Sequence, residues 1–594
     1  MMMFYGIRFD LSAICIINIL YIALFIIPFR FRANKYYQNI LENFFYITNS
    51  VSFALICIDF EYFRYTFKRT TADFLDYLTI GGGNDVFALL PNYIVDFWYV
   101  VLIWISFIVI MVFLYRKTKK KTVFLYNGIK HYLLSVLMFM FFSGVTILFS
   151  RGGFQLRPIS VISAGEYTSA QNVPVILNTP FTIINTWDNQ RLEKKKYFKS
   201  ETELAKVFDP VTEMSPVLNF RNNNVVIIIL ESFSKEHIGS LNKNLDNGKY
   251  KGYTPFLDSL IGESLVFVNA FANGKKSIEG IPAIVSGMPT LMNNSYVSSI
   301  YAGNNLNSLP SLLKKYGYSS SFYHGGSNGT MKFDDFAKMA GFDNYYGRNE
   351  YSNDNDYDGE WGIFDEPFLQ YFANNLNTEK QPFISTIFTL SSHHPYRVPQ
   401  KYKNIFPEGK LDIHKSISYA DFALKRFFKT ASTMPWFDST LFVITADHTS
   451  HAYFDYYKNN IGQFEVPLIL YKHNSNLKGV DSTLTQQIDI MPTVLNYLNY
   501  NGRFIAFGNS AFNKQAKHFS ISYINNIYQL IMDGFVLQYD GEKTISLHNI
   551  NNDNMLNENL SEKDPLKRIE LEISIKAIIQ SYNNRLIENK LTVR

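Results

Sequence analysis

Asn224-Val225-Val226-Ile227-Ile228-Ile229-Leu230 is an apolar, mostly β-branched run that stops abruptly at Glu231-Ser232. No polar residue alternates through it. It therefore predicts a strand covered on both faces, of the kind found in an α/β sheet. A carboxylate at the carboxyl end of such a strand stands where open α/β sheets bind ligands. Farther on, Gly274-Lys275-Lys276-Ser277-Ile278-Glu279-Gly280 forms a polar loop running into the helix-like Ile281-Pro282-Ala283-Ile284-Val285. The expectation is that Glu231 and Ser277 meet at one metal-assisted phosphoryl-transfer site.

Three further apolar runs end in the same manner. Ser319–Tyr323 ends at His324-Gly325-Gly326, Phe383–Leu390 at Ser391-Ser392-His393-His394-Pro395, and Thr440–Thr445 at Ala446-Asp447-His448. Helical patterns lie between them at Thr254–Leu260, Ile281–Ser286, Ser308–Lys315 and Ser416–Thr430. Strands alternating with helices predict a parallel sheet. Four runs that each finish in polar or ionisable groups point to one site along its carboxyl edge. Beyond them, Phe464–Tyr471 predicts another buried strand, and Asp489 an N-cap. Asp533-Gly534 predicts the turn of a hairpin, and Glu562–Leu591 a terminal helix.

The first quarter of the chain is different. Residues 11–29, 43–60, 97–115 and 133–149 are apolar stretches near the length needed to cross a bilayer. Arg30, Arg32 and Lys35 lie between the first and second, and Arg116-Lys117-Thr118-Lys119-Lys120-Lys121 between the third and fourth. Basic loops predict a cytoplasmic location, which puts Met1, the Glu61–Asp96 loop and everything after Arg151 outside. Four spans with both ends outside suggest one more helix upstream of Met1. The expected organisation is a membrane domain over 1–151, a linker over 152–221 and an extracytoplasmic α/β domain over 222–550. A helical tail over 551–594 follows. Within the linker, Arg191–Val207 is the one stretch with helical potential.

Composition excludes several classes. Of a formal net charge of +5 over 594 residues, the 116–121 cluster alone supplies five positive charges. The remainder is near neutral, so no basic face is left for a nucleic acid. The two cysteines, Cys15 and Cys57, both fall in apolar stretches, which rules out a disulfide framework or Cys-x-x-Cys metal chemistry in the polar part.

Glu231, Asp447 and His448 make an oxygen-rich ligand set with one imidazole, suited to Mn2+ or Mg2+, with Zn2+ as a further possibility. Ser277 is the expected fourth ligand and the nucleophile, because metal coordination is one way to activate a serine hydroxyl. A helix starting at Ser277 adds its positive dipole end and free N–H groups for a phosphate. Lys275 or Lys276 would offset charge in the transition state. Taken singly, each residue has a duller reading: a turn at Asp447-His448, a helix cap at Glu231-Ser232, a solvated loop at Lys275-Lys276. Only the joint pattern favours a site.

The order of apolar spans, linker, Asn-Val-Val-Ile-Ile-Ile-Leu-Glu-Ser-Phe, Gly-Lys-Lys-Ser and Ala-Asp-His resembles the lipoteichoic acid synthases of the alkaline phosphatase and sulfatase superfamily. It is also similar to the membrane phosphoglycerol transferases that decorate periplasmic glucans. The resemblance implies an alkaline phosphatase-like fold and one metal on Glu231, Ser277, Asp447 and His448, with His393 as the substrate-side histidine. Three departures stand out. The nucleophile is Ser277 where threonine is common. Met331 and Phe333 occupy the places of a Trp and an Arg that hold glycerol phosphate, leaving Lys332 or Asp334 to substitute. Four spans are counted where five are typical.

The implied function is transfer of a phospholipid head group, from phosphatidylglycerol, through a phospho-serine intermediate to an envelope glycan or lipid. The alternatives are a phosphoethanolamine transferase, a sulfatase-like hydrolase, or a non-catalytic envelope-assembly protein. Sulfatases require Cys/Ser-x-Pro-x-Arg, and Ser277 is followed by Ile278, Glu279, Gly280 and Ile281. Phosphoethanolamine transferases are typically disulfide-rich, unlike this chain.

Overall fold

The computed structural model describes residues 2–66, 69–72, 94, 97–119, 128–167, 173–187, 191–524 and 526–593. Two compact units divide at Arg191 and Leu192. Most of the expected 61–96 loop, together with Lys120 and Lys121 of the basic cluster, lies outside the described residues.

In the first unit, Lys35–Glu61, Trp98–Thr118 and Ile129–Ser150 are long and apolar enough to cross a membrane. The expected span at 11–29 is a bent pair of helices, Met2–Ile17 and Ile19–Ile26, with a 62° change of direction. Asn18 stands at the break. Its amide donates to Ile14 O at 3.0 Å and exchanges hydrogen bonds with the Asn49 amide at 3.1 and 2.8 Å. Three polar residues of the second stretch bond within their own helix. Thr48 Oγ1 donates to Phe44 O at 2.8 Å, Asn49 Nδ2 to Phe45 O at 2.8 Å and Ser52 Oγ to Thr48 O at 3.0 Å. Satisfied in this way, they cost the span far less than bare polar groups would.

The second unit contains β1 (Val211–Met214), β2 (Asn224–Leu230), β3 (Leu265–Phe271), β4 (Ser319–His324), β5 (Asn344–Tyr346), β6 (Phe383–Phe388) and β7 (Thr440–Ala446). These are followed by β8 (Leu468–Tyr471), β9 (Gly479–Gln486), β10 (Gly502–Ile505), β11 (Phe519–Ile524), β12 (Ile527–Met532), β13 (Phe535–Tyr539) and β14 (Thr544–Asn549). Eight strands form the main sheet in the order β5-β4-β6-β2-β7-β8-β3-β9. Every residue of β2, β6 and β7 is buried, which is why these strands are continuous apolar runs. The helices Asp365–Leu376 and Ile413–Ala431 contribute Phe372, Leu424 and Phe427 to the same core as Val226, Ile228 and Phe442.

The sheet is mixed, not fully parallel as expected. β8 runs antiparallel to both β7 and β3. The segment between β7 and β8 stays at the carboxyl edge, where Glu236 accepts from Tyr453 N and Phe454 N and Glu465 pairs with Lys235 at 2.8 Å. β8 therefore enters the sheet from the edge at which β7 leaves it. A separate four-stranded antiparallel sheet, β11 to β14, carries the expected hairpin turn. Asp533 and Gly534 have φ of 52° and 78°, the left-handed pair a two-residue hairpin requires.

The stretch 152–221 holds more regular structure than a linker suggests. Thr179–Thr186 and Glu201–Val207 are helices with side-chain caps from Asn178 and Ser200. Only the second half of the expected Arg191–Val207 helix forms. Residues before it are held extended by amides of the terminal helix Pro565–Ile587. Lys195 exchanges two bonds with Asn584, at 3.0 and 2.9 Å, and Tyr197 N donates to Gln580 Oε1 at 2.5 Å.

Candidate active site

β2 and β7 are parallel neighbours in which Leu230 stands opposite Ala446. The next residue of each strand is therefore a carboxylate, Glu231 beside Asp447, and Asp447 N donates to Leu230 O at 3.2 Å. Ser277 is the first residue of the helix Ser277–Ser286, which follows β3. The helix can lie against the Asp447 backbone because residue 280 is glycine; a Cβ there would stand 2.3 Å from Asp447 O.

The four side chains converge. Ser277 Oγ donates to Glu231 Oε2 at 3.3 Å and lies 3.5 Å from His448 Nε2. His448 Nε2 is 3.3 Å from Asp447 Oδ2 and 3.8 Å from Glu231 Oε1. His448 Nδ1 lies 2.9 Å from Thr449 O, an acceptor that directs Nε2 toward the acids as the ligand nitrogen. Glu231 and Asp447 are essentially inaccessible. Burial, then the neighbouring Asp447 carboxylate, pushes the Glu231 carboxyl well above its usual range. Asp447 Oδ2 is buried without a hydrogen-bond partner. Two adjacent buried carboxylates, one oxygen of them unsatisfied, fit a divalent cation held by Glu231, Asp447 and His448, whose ligand atoms lie within 4.8 Å of one another.

Lys276 is exposed and lies 3.9 Å from Glu279. It is Lys275 that is half-buried, donating to Thr449 Oγ1 at 2.5 Å and Gln463 O at 2.8 Å, with burial pulling its pKa down to about 8. Lys332 is half-buried in the loop after β4, where it and Met331 have φ of 61° and 48°. His393 follows β6, and its ring centroid lies 4.0 Å from that of Trp361.

Several contributors escape sequence reasoning. Ser232, at φ 55°, turns the chain so that its N–H donates to Asp447 Oδ1 at 2.8 Å and its Oγ to Glu231 Oε1 at 2.5 Å. Thr389 Oγ1 accepts from Glu231 N at 3.0 Å, and Gln487 Nε2 donates to Ala446 O and Asp447 O, both at 2.7 Å. Trp361 Nε1 donates to His394 O at 2.6 Å. The only sequence signal for these was the position of Ser232 directly after Glu231.

A buried strand-end acid pair, a serine at a helix start and a histidine beside them thus meet in one place at the carboxyl edge of the main sheet. The sulfatase family model matches residues 223–500. The chain is homologous to lipoteichoic acid synthases. It is 25% identical over 352 residues to lipoteichoic acid synthase 1 of Bacillus subtilis (strain 168), covering 53% of this chain and 54% of that protein. It is 26% identical over 366 residues to lipoteichoic acid synthase of Staphylococcus aureus (strain USA300), covering 56% and 55%. The chain thus spans about half the length of the curated relatives it matches. The fold is shared with lipoteichoic acid synthase LtaP from Listeria monocytogenes, at TM-score 0.53 and 20% identity over 63% of this chain and 94% of that one. It is also shared with an alkaline phosphatase superfamily protein from Vibrio parahaemolyticus, at TM-score 0.56 and 21% identity over 68% and 95%.

Proposed function

We propose that this chain is a membrane-anchored phosphotransferase that moves a phosphoglycerol head group from an anionic phospholipid to an envelope glycan or lipid, with Ser277 as nucleophile. The observation that carries the reading is the convergence of Ser277 Oγ with Glu231 and His448 at the first turn of a helix. The homology to lipoteichoic acid synthases supports phosphoglycerol as the transferred group and phosphatidylglycerol as its donor.

In the first step Ser277 Oγ forms a bond to the donor phosphorus, and the bond from phosphorus to the diacylglycerol oxygen breaks. The Ser277 proton passes along its hydrogen bond to Glu231 Oε2 and returns in the second step. The departing diacylglycerol oxygen takes a proton from solvent, matched later by the proton the acceptor hydroxyl gives up to solvent. Glu279 N donates to Lys276 O at 2.9 Å, which leaves the N–H groups of Ser277 and Ile278 at the helix start to face a phosphoryl anion. In the second step an acceptor hydroxyl forms its bond to phosphorus and Ser277 is released with its proton restored. A manganese or magnesium ion on Glu231, Asp447, His448 and Ser277 Oγ would lower the hydroxyl's pKa and neutralise phosphate charge. Trp361 and His393 supply a half-exposed aromatic surface for the head group or the acceptor.

Purified full-length protein carrying Ser277→Ala should melt as the parent does and lose at least about a thousandfold in transfer from head-group-labelled phosphatidylglycerol. Undiminished transfer would sink the covalent route. A sulfatase reading predicts cleavage of aryl sulfate instead, and no such cleavage is expected.

A further inference from the structure

The membrane unit holds a cavity of about 1140 Å³ that the transfer chemistry does not use. Its apolar lining comes from the exposed Leu134, Met138 and Phe142 of the helix Ile129–Ser150, together with the exposed Phe25. The lining also carries four cations, Arg32, Lys35, Arg116 and Lys119, against a single carboxylate, Glu42. Glu42 pairs with Lys119. A tyrosine pair, Tyr21 and Tyr115, lines the cavity with hydroxyls 3.3 Å apart.

Topology alone explains part of this pattern, since basic residues at span ends set orientation. That role is served by cations solvated anywhere in a loop. It does not require Arg32, from the turn before the helix Lys35–Thr66, and Arg116, from the end of Trp98–Thr118, to share a cavity with an apolar helix face. Four cations against one carboxylate, itself paired with Lys119, leave the lining with net positive charge that an anion would offset. The cavity exceeds the usual 300–1,000 Å³ of a small-molecule pocket, leaving room for a head group and the first part of a chain. Basic pockets between membrane helices are recognised sites for anionic lipid head groups.

We propose that this cavity is a binding site for an anionic phospholipid. Its phosphate sits among Arg32, Arg116 and Lys119, and an acyl chain lies along Leu134, Met138 and Phe142. The site uses residues of the membrane unit only, so it stands or falls independently of the chemistry at Ser277.

The test is native mass spectrometry of the full chain in detergent, supplied with equimolar phosphatidylglycerol and phosphatidylcholine. Phosphatidylglycerol adducts should be retained selectively, and equally by Ser277→Ala. Combined Arg32→Gln and Arg116→Gln should lower retention about tenfold or more. Met138→Trp, which fills the apolar side and leaves every charge in place, should lower it as well. It decides the matter if the charge variant does not fold. Equal retention of phosphatidylcholine, or parental retention in Met138→Trp, overturns the proposal. Displacement of the lipid by equimolar soluble glycerol phosphate overturns the acyl-chain contact.

Discussion

Glu231, Asp447 and Ser277 are fixed by two strand ends and a helix start, and each is at most 4% exposed. Trp361, His393 and Tyr396 stand on loops and are half-exposed, with Tyr396 held at φ 65°. The first group is over-determined: Ser232, Thr389, Gln487 and Gly280 each brace it through backbone contacts. The second group rests on a few contacts between loops, such as Trp361 to His394 and Arg397 Nη1 to Asp358 O at 2.9 Å. Under the proposed function the first group holds the chemistry and the second meets the substrate. This division also says where substitutions should hurt most.

The largest effect is expected at Asp447. Asp447→Asn removes the charge that the orphaned Oδ2 carries, and it should weaken manganese binding and cut transfer by at least about a hundredfold. Calorimetric titration of manganese into the variant checks the first part. Unchanged affinity would break the comparison at its strongest point.

Next comes Gly280→Ala. Within a helix this change ordinarily gains about 1 kcal/mol from propensity. Here the new methyl would stand 2.3 Å from a backbone oxygen that cannot rotate away, and overpacking costs about 1–3 kcal/mol. A lower melting temperature and reduced transfer are expected; a stabilised, active variant would show that the helix does not need its close approach.

Trp361→Ala tests the other half. Loss of the indole removes the aromatic face that the proposed function gives to the substrate, and a rise in KM of about 3- to 10-fold, which is about 0.7–1.4 kcal/mol, is expected with little change in kcat. Steady-state kinetics with varied lipid donor separate the two. A kcat collapse would mean that the Trp361 loop belongs to the rigid half.

The smallest effect on activity, and a distinct one on stability, concerns Asp365. Burial raises its carboxyl to about 6, although Oδ1 accepts from Leu390 N at 2.8 Å and Ser391 N at 3.1 Å. The folded state keeps this proton to higher pH than the unfolded chain, so the contribution is full below about pH 4 and is lost as pH rises through about 6. Asp365→Asn retains the accepting oxygen and abolishes the titration. Denaturant melts at pH 4 and pH 7 should show the parent losing on the order of 3 kcal/mol more than the variant across that interval. Parallel losses would contradict it.

The same contrast explains what could be read from the sequence. β2, β6 and β7 are buried on both faces, so their apolar runs announce them, and the ionisable residues at their ends stand out against that background. The antiparallel course of β8 was hidden because it depends on Glu236 and Glu465 tying down the preceding segment, contacts between residues far apart in the chain. Asn18 gave no local sign of a break, since its partner Asn49 lies on another helix. Trp361 was invisible for a like reason: nothing in its own neighbourhood tells that it packs against His393.

The most direct test of the central claim is mass spectrometry of the Ser277 peptide from protein incubated with phosphatidylglycerol and manganese, then quenched in acid. An adduct of glycerophosphate mass is expected on Ser277 and is expected to be absent from Asp447→Asn. An unmodified Ser277 peptide alongside measurable product, or the adduct on a different residue, would contradict it.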